Sequence, residues 1–199
     1  MNAQGTVRAM SLRQIKEEAS ALLRSCGVYR LPVDVDAVAS CIGLHVNYTS
    51  LDDDYSGLLV IRDGAAVAHI NKLHHTNRRR FSLAHEIAHF VLHEQRQTSG
   101  ESAYVDKAMR LYHRTDRELG QNARMEFQAN AFASELLMPE QLLRSKIIDE
   151  GYDLEDEADV SRLAVVLRVS EQALSIKLTQ MKDLLRPVCD LQEDDDKPF

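Results

Sequence analysis

Glycine and proline are scarce in this 199-residue chain, eight and four respectively. No internal repeat is present. Collagen-like and Pro/Gly-rich disordered architectures are thereby excluded, and with 44% apolar residues the chain can bury a core of its own. Cysteine is nearly absent: Cys26, Cys41 and Cys189 are odd in number, widely spaced and form no CxxC. That pattern speaks against a disulfide scaffold and predicts reduced thiols, with Cys41 serving only as core packing. No apolar run approaches the roughly 18 residues of a membrane span, and the N-terminus has no signal-like apolar stretch. The expected location is therefore the cytoplasm. Positive charge is short as well, with 24 Lys and Arg against 31 Asp and Glu, a net charge of −7. The last ten residues, DLQEDDDKPF, hold five acids and one lysine, so the rest of the chain is only mildly acidic. Bulk charge thus argues against a dedicated nucleic-acid binder.

What is present is a chain of amphipathic helices around a few β-rich runs. Helical spacing predicts a helix over 11–25 with Ser11 as N-cap and Gly27 as its stop, and a short one over 34–42. A strand is expected at 44–48. Residues 58–70 read as two strands around Asp63-Gly64, a preferred hairpin centre. Further helices are expected over 78–93, 123–137, 139–149, 159–167 and 171–183. Residues 94–122 read as a polar insertion with one short helix at 103–113, and 190–199 as an acidic disordered tail.

The helix over 78–93 contains AHEIAHF, residues 84–90. Residues four apart lie one turn apart on one face, so His85 and His89 can grip a single tetrahedral ion. Glu86 then projects beside the metal, where a carboxylate can take a proton from water. Ser82, His85, Glu86, His89 and His93 fall within an arc of about 100°, and apolar residues fill the rest. A solvated face would carry Lys, Arg and Glu rather than three histidines. The alternative is a pair of histidines satisfied by ordinary contacts, and a third ligand separates the two readings.

EFQANAFASELLMP, residues 126–139, supplies a candidate. On a helical wheel Glu126, Asn130, Ala133 and Leu137 form one stripe, while Arg124, Gln128 and Glu135 are expected to point the opposite way. Two polar residues on a buried stripe need partners. Glu126 as third metal ligand and Asn130 as hydrogen-bond partner of a ligand imidazole would satisfy both. The competing assignment is a surface Glu and a buried Asn capping a loop.

RRRFSLAHEIAHFVLH and EFQANAFASELLMP together resemble the two signatures of the ImmA/IrrE family of zinc metallo-endopeptidases. The resemblance covers roughly 30–150, and the helix pair after it is similar too. It implies an α+β, zincin-like metallopeptidase with a small antiparallel sheet packed on helices. Zn²⁺ would be held by His85, His89 and Glu126, with Glu86 catalytic and Asn130 in the second motif. Two departures stand out: 36 residues separate His89 from Glu126, more than the family leads one to expect, and Ala88 replaces the usual Gly. The long insertion would then be a lid or docking loop. The resemblance further implies a helix-turn-helix repressor or antitoxin as the cleaved protein substrate, so that cleavage relieves repression.

Other residues have weaker claims. His93 could be a fourth ligand, but that would close the site; a helix-end histidine whose charge suits the C-terminal dipole is preferred. His69, His74, His75, His113, Tyr55, Tyr104 and Tyr112 are candidates for stabilising an oxyanion. Arg78, Arg79 and Arg80 oppose the dipole of their own helix, and Asp52, Asp53 and Asp54 or an acidic substrate are the expected partners. Residues 160–181 have helix-turn-helix spacing, yet Glu171, Lys177 and Lys182 are a meagre set for DNA. A helical pair packed on the protease is preferred, and direct DNA binding is not expected. The resulting organisation is a metallopeptidase domain at 1–150, a helix-turn-helix-like pair at 157–185 and the tail. The hairpin at 58–70 is expected to offer an edge to an extended substrate. The competing functions are a non-proteolytic module that sequesters a repressor or antitoxin, and a DNA-binding regulator.

Overall fold

A computed structural model describes residues 10–62, 64–94, 102–107 and 116–185. The expected tail, His113 and Tyr112 lie outside them. Helix α1 (Leu12–Ser25) starts at Ser11, whose hydroxyl accepts from the Gln14 N–H while the Gln14 side chain accepts from the Ser11 N–H. That reciprocal cap fixes the helix start. Its stripe of Ile15, Ala19 and Leu23 is fully buried. Helix α2 (Val35–Cys41) is capped by Asp34. Strands β1 (His45–Thr49), β2 (Tyr55–Arg62) and β3 (Ala65–Asn71) follow, then α3 (Thr76–His89), which continues as a π-helical turn, Phe90–Glu94. Strand β4 (Ser102–Lys107), α4 (Asp116–Leu137), α5 (Glu140–Glu150), α6 (Glu157–Leu167) and α7 (Glu171–Leu185) complete the order.

The architecture is α+β, and the sheet order is β1-β3-β2-β4. The sheet is mixed rather than antiparallel. β2 and β3 form the expected hairpin, with Arg62 opposite Ala65 and Gly64 at φ 77°. β1 joins the far side of β3 and therefore runs parallel to it. Both edges of the hairpin are covered, β3 by β1 and β2 by β4, so the hairpin itself offers no edge to a substrate. The free edges among the described residues are β1 and β4.

β4 also corrects the helix expected at 103–113: residues 102–107 are a strand, and 108–113 lie outside the described residues. A six-residue run with little periodicity takes its structure from the strand it pairs with. Tyr104 lies on β4 opposite Leu59.

The cysteine expectation is overturned too. Cys26, at the end of α1, is disulfide-bonded to Cys41, the last residue of α2, with their Cα atoms 5.7 Å apart. Cys41 is exposed rather than core packing. Spacing alone hid the pair, because the chain after α1 returns through the short α2 to the end of α1.

α3 packs on β2 and β3 and against α4, and α1 packs on α4 as well. The terminal helices share this core: Leu163, Leu167, Leu174 and Met181 belong to the same cluster as Leu83, Phe132 and Leu136. Lys177 on α7 is almost completely buried and pairs with Glu135 on α4. The turn between α6 and α7 is tied to α3 by Asn77, whose Nδ2 donates to the Val169 carbonyl at 2.8 Å, and by Arg80, whose Nε donates to the Arg168 carbonyl at 3.2 Å.

Candidate metal centre

α3 enters the centre of the molecule flanked by apolar neighbours. Leu83, Ala84, Ile87 and Ala88 are fully buried, as is Glu86, while His85 and His89 are 3% and 2% exposed. α4 packs against it, and its small residues Ala129 and Ala133 are fully buried. Close approach of the helices brings Glu126 to the two histidines across 36 intervening residues.

The three ligand atoms meet tightly. His85 Nε2 lies 3.2 Å from Glu126 Oε2, and His89 Nε2 lies 3.4 Å from Glu126 Oε1. The two Nε2 atoms are 3.0 Å apart. Donor atoms about 2.0–2.1 Å from a tetrahedral zinc stand about 3.3 Å from one another, so the spacings fit a single ion.

The hydrogen bonding fits it as well. His85 Nδ1 donates to Asn130 Oδ1 at 3.1 Å, which leaves its Nε2 as the electron-pair donor of a neutral ring. That lone pair faces a carboxylate oxygen and a second imidazole nitrogen. Three donor atoms so placed repel one another unless a proton or a cation lies among them. Protonated imidazoles would satisfy the cluster in place of a cation: burial resists ionisation of Glu126, but hydrogen bonds and charge from protonated His85 and His89 outweigh it and hold the carboxyl well below the usual range. The Glu126 side chain is 48% exposed, so the cluster opens to solvent on its α4 side while the imidazole side is closed.

Glu86 sits one residue from His85, with its carboxylate against β2. A Cβ placed on Gly57 of that strand would stand 2.5 Å from Glu86 Oε1. Gly57 falls just before the β-rich run expected at 58–70, because β2 begins three residues earlier, at Tyr55, and a glycine inside a strand marks a bulge or a close backbone approach.

The remaining candidates fall elsewhere. His93 lies outside the three-residue cluster and is 6% exposed. Burial, reinforced by His89, pushes it down to about 4 despite a hydrogen bond with the Met125 backbone, so it is a neutral buried ring rather than a charged helix end. His75 caps α3, with Nδ1 accepting from the Asn77 N–H at 3.3 Å, and His69 pairs with Asn47 across β1 and β3. Tyr55 opens β2, and His74 lies in the β3–α3 turn.

The arginines do not meet Asp52, Asp53 or Asp54. Arg78 donates to Ser56 Oγ through Nε at 3.2 Å and Nη2 at 2.8 Å. Arg79 donates to Thr76 and stacks over Tyr48. Arg80 donates to the carbonyls of Val33 and Arg168, and burial followed by the charge of Arg168 lowers its pKa. Neutral oxygens thus serve where acids were expected.

The wheel of α4 needs correction. Glu126 and Asn130, expected on a buried stripe, are both exposed, whereas Gln128 and Glu135, expected to point away from it, are buried at 1% and 3%. α4 is gripped from several sides, so a one-sided wheel misplaces them.

The family model for the IrrE N-terminal-like domain, Peptidase_M78, matches residues 39–179. No curated protein matches the chain significantly.

Proposed function

The chain belongs to the IrrE N-terminal-like (Peptidase_M78) family, and on that premise we propose that it is a zinc-dependent endopeptidase acting on an extended segment of a protein substrate. The observation that carries this reading is the convergence of His85, His89 and Glu126, open on one side, with Glu86 adjacent. Two imidazoles and one carboxylate suit zinc better than calcium or magnesium, which prefer oxygen ligands.

When bound, zinc supplies a Lewis acid that polarises the scissile carbonyl and acidifies water. The protein does the rest. His85 and His89 hold the ion, and Asn130 keeps the His85 ring in the tautomer that leaves Nε2 free to ligate. Glu126 closes the ligand set from the other helix and lowers its net charge. Glu86 takes the proton of the attacking water on a carboxylate oxygen and returns it to the leaving amine nitrogen. Metal binding alone would not require Glu86, which favours catalysis over a purely sequestering role.

An extended segment is the substrate form that suits a sheet beside the centre. β4 flanks β2, the strand that touches Glu86, and its outer edge is the one to which such a segment would add. The substrate class the resemblance implies is a helix-turn-helix repressor or antitoxin in the same compartment, here taken to be the cytoplasm. No helix of the described residues is long and apolar enough to cross a membrane. Direct DNA reading by α6 and α7 is disfavoured, since Lys177 is spent in a buried ion pair and the α6–α7 turn is packed on α3.

The test is incubation of the zinc-loaded chain with the repressor encoded beside it, in parallel with Glu86→Gln. Discrete cleavage products from the native chain alone support the proposal. Repressor inactivation that survives Glu86→Gln without cleavage replaces it with sequestration.

A further inference from the structure

Gly57 is buried on β2, and its φ is not in the left-handed region, so backbone conformation does not demand glycine there. What demands it is space. A Cβ would stand 2.5 Å from Glu86 Oε1, 3.2 Å from Cδ and 3.3 Å from Cγ. Glu86 is 0% exposed and has no open side toward which its chain could swing freely.

The strand is pinned at this point from two directions. Ser56, 7% exposed, accepts both hydrogen bonds from Arg78, which lies two turns before Glu86 on α3. Asn71, fully buried at the end of β3, donates to the Tyr55 carbonyl at 3.0 Å and to the Leu51 carbonyl at 3.2 Å. The β2–β4 register shifts between Tyr55 and Gly57, so Ser56 is the extra residue of a bulge. Bulges bend a strand locally and re-aim what it carries, and they recur beside active sites.

From these contacts we infer that Tyr55-Ser56-Gly57 is a positioning element for Glu86: the missing side chain of Gly57 makes the recess that holds the carboxylate, and the Arg78–Ser56 and Asn71–Tyr55 bonds set its depth. The inference rests on the reading of Glu86 as the proton-transferring group. Gly57 and Ser56 contribute no reacting group of their own and act through that carboxylate. An added methyl group moves the carboxylate rather than the zinc ligands. Misplacement by about 1 Å costs a proton-transfer group on the order of 10²-fold.

The first test needs no substrate. Gly57→Ala is made in the native background and in Glu86→Ala, where truncation leaves room for the methyl group. The expected thermal midpoint falls by roughly 2–8 °C in the native background and by much less in Glu86→Ala. Equal falls in both backgrounds overturn the inference. The second test uses the zinc-loaded chain. Gly57→Ala should lower kcat about 10²-fold with KM and zinc stoichiometry unchanged. Ser56→Ala should lower kcat more mildly, and Ser56→Thr, which keeps the hydroxyl, should restore it. An unchanged kcat in Gly57→Ala, or a loss matched by lost zinc, overturns the inference. Absence of any cleavage by the native chain refutes the peptidase reading instead, and the thermal cycle then decides the contact by itself.

Discussion

His85 Nδ1 and Asn130 Oδ1 lie 3.1 Å apart, joining α3, which carries His85 and His89, to α4, which carries Glu126. The bond fixes which nitrogen of His85 carries the proton. Asn130→Ala should therefore weaken zinc binding about 10–100-fold, the usual effect of losing a partner behind a ligand imidazole. Asn130→Asp, which keeps an acceptor oxygen, should retain most of the affinity. Competition titration with a chromophoric chelator reads both, and wild-type affinity in Asn130→Ala would show that the bond is idle.

Glu86 and Glu126 carry different roles in the proposed centre, and the two should separate cleanly. Glu126→Ala removes one of three ligands and should lose stoichiometric zinc together with all cleavage. Glu86→Gln should keep one zinc per chain and lose hydrolysis by at least 10²-fold, since only proton transfer is removed. Metal analysis after gel filtration, run beside a cleavage assay, distinguishes the two. Loss of zinc from Glu86→Gln would assign that residue to the ligand set.

The centre was legible because its constraints are local. His85, Glu86 and His89 are placed by one helical turn; Glu126 and Asn130 share a face of the next helix as expected, but at its exposed margin rather than on a buried stripe. The long separation of His89 from Glu126 did not matter once each motif was read as a helix face. What was not legible depends on contacts between distant segments. β4 is a strand only because β2 offers it an edge. Cys26 and Cys41 meet only because the chain between them returns to the end of α1. Gln128 and Glu135 are buried because α4 is enclosed on more than one side, a situation a helical wheel does not represent. Gly57 looks like any strand glycine until α3 is laid across it.

The Lys177–Glu135 pair is one such contact, and it ties the terminal helices to α4. Glu135 also accepts from the Glu140 N–H at 3.0 Å, so one carboxylate anchors α7 and the start of α5. Removing one partner leaves a buried uncompensated charge. Lys177→Met should destabilise the fold by about 3–5 kcal/mol, whereas Lys177→Met with Glu135→Leu should recover much of that loss. Denaturant unfolding of the two variants measures the difference. A loss near zero for Lys177→Met would mean that Glu135 finds solvent, and that α7 is held more loosely than its burial indicates.

The Cys26–Cys41 bond spans a sequence separation of 15 between the ends of α1 and α2. A cross-link of that span restricts the unfolded chain by about 3 kcal/mol. Reduction, or the double change Cys26→Ser and Cys41→Ser, should lower the thermal midpoint by roughly 5–10 °C in a chain of this size. Zinc stoichiometry should not change, because His85, His89 and Glu126 are carried by α3 and α4. The bond also bears on where the protein works. A reducing cytosol would hold the pair open, so thiol titration of chain denatured without reductant is informative. One free thiol per chain, from Cys189, is expected if the bond forms; three would show that the protein folds and works as a dithiol. With three thiols the midpoint should not respond to reductant, so the two measurements must agree.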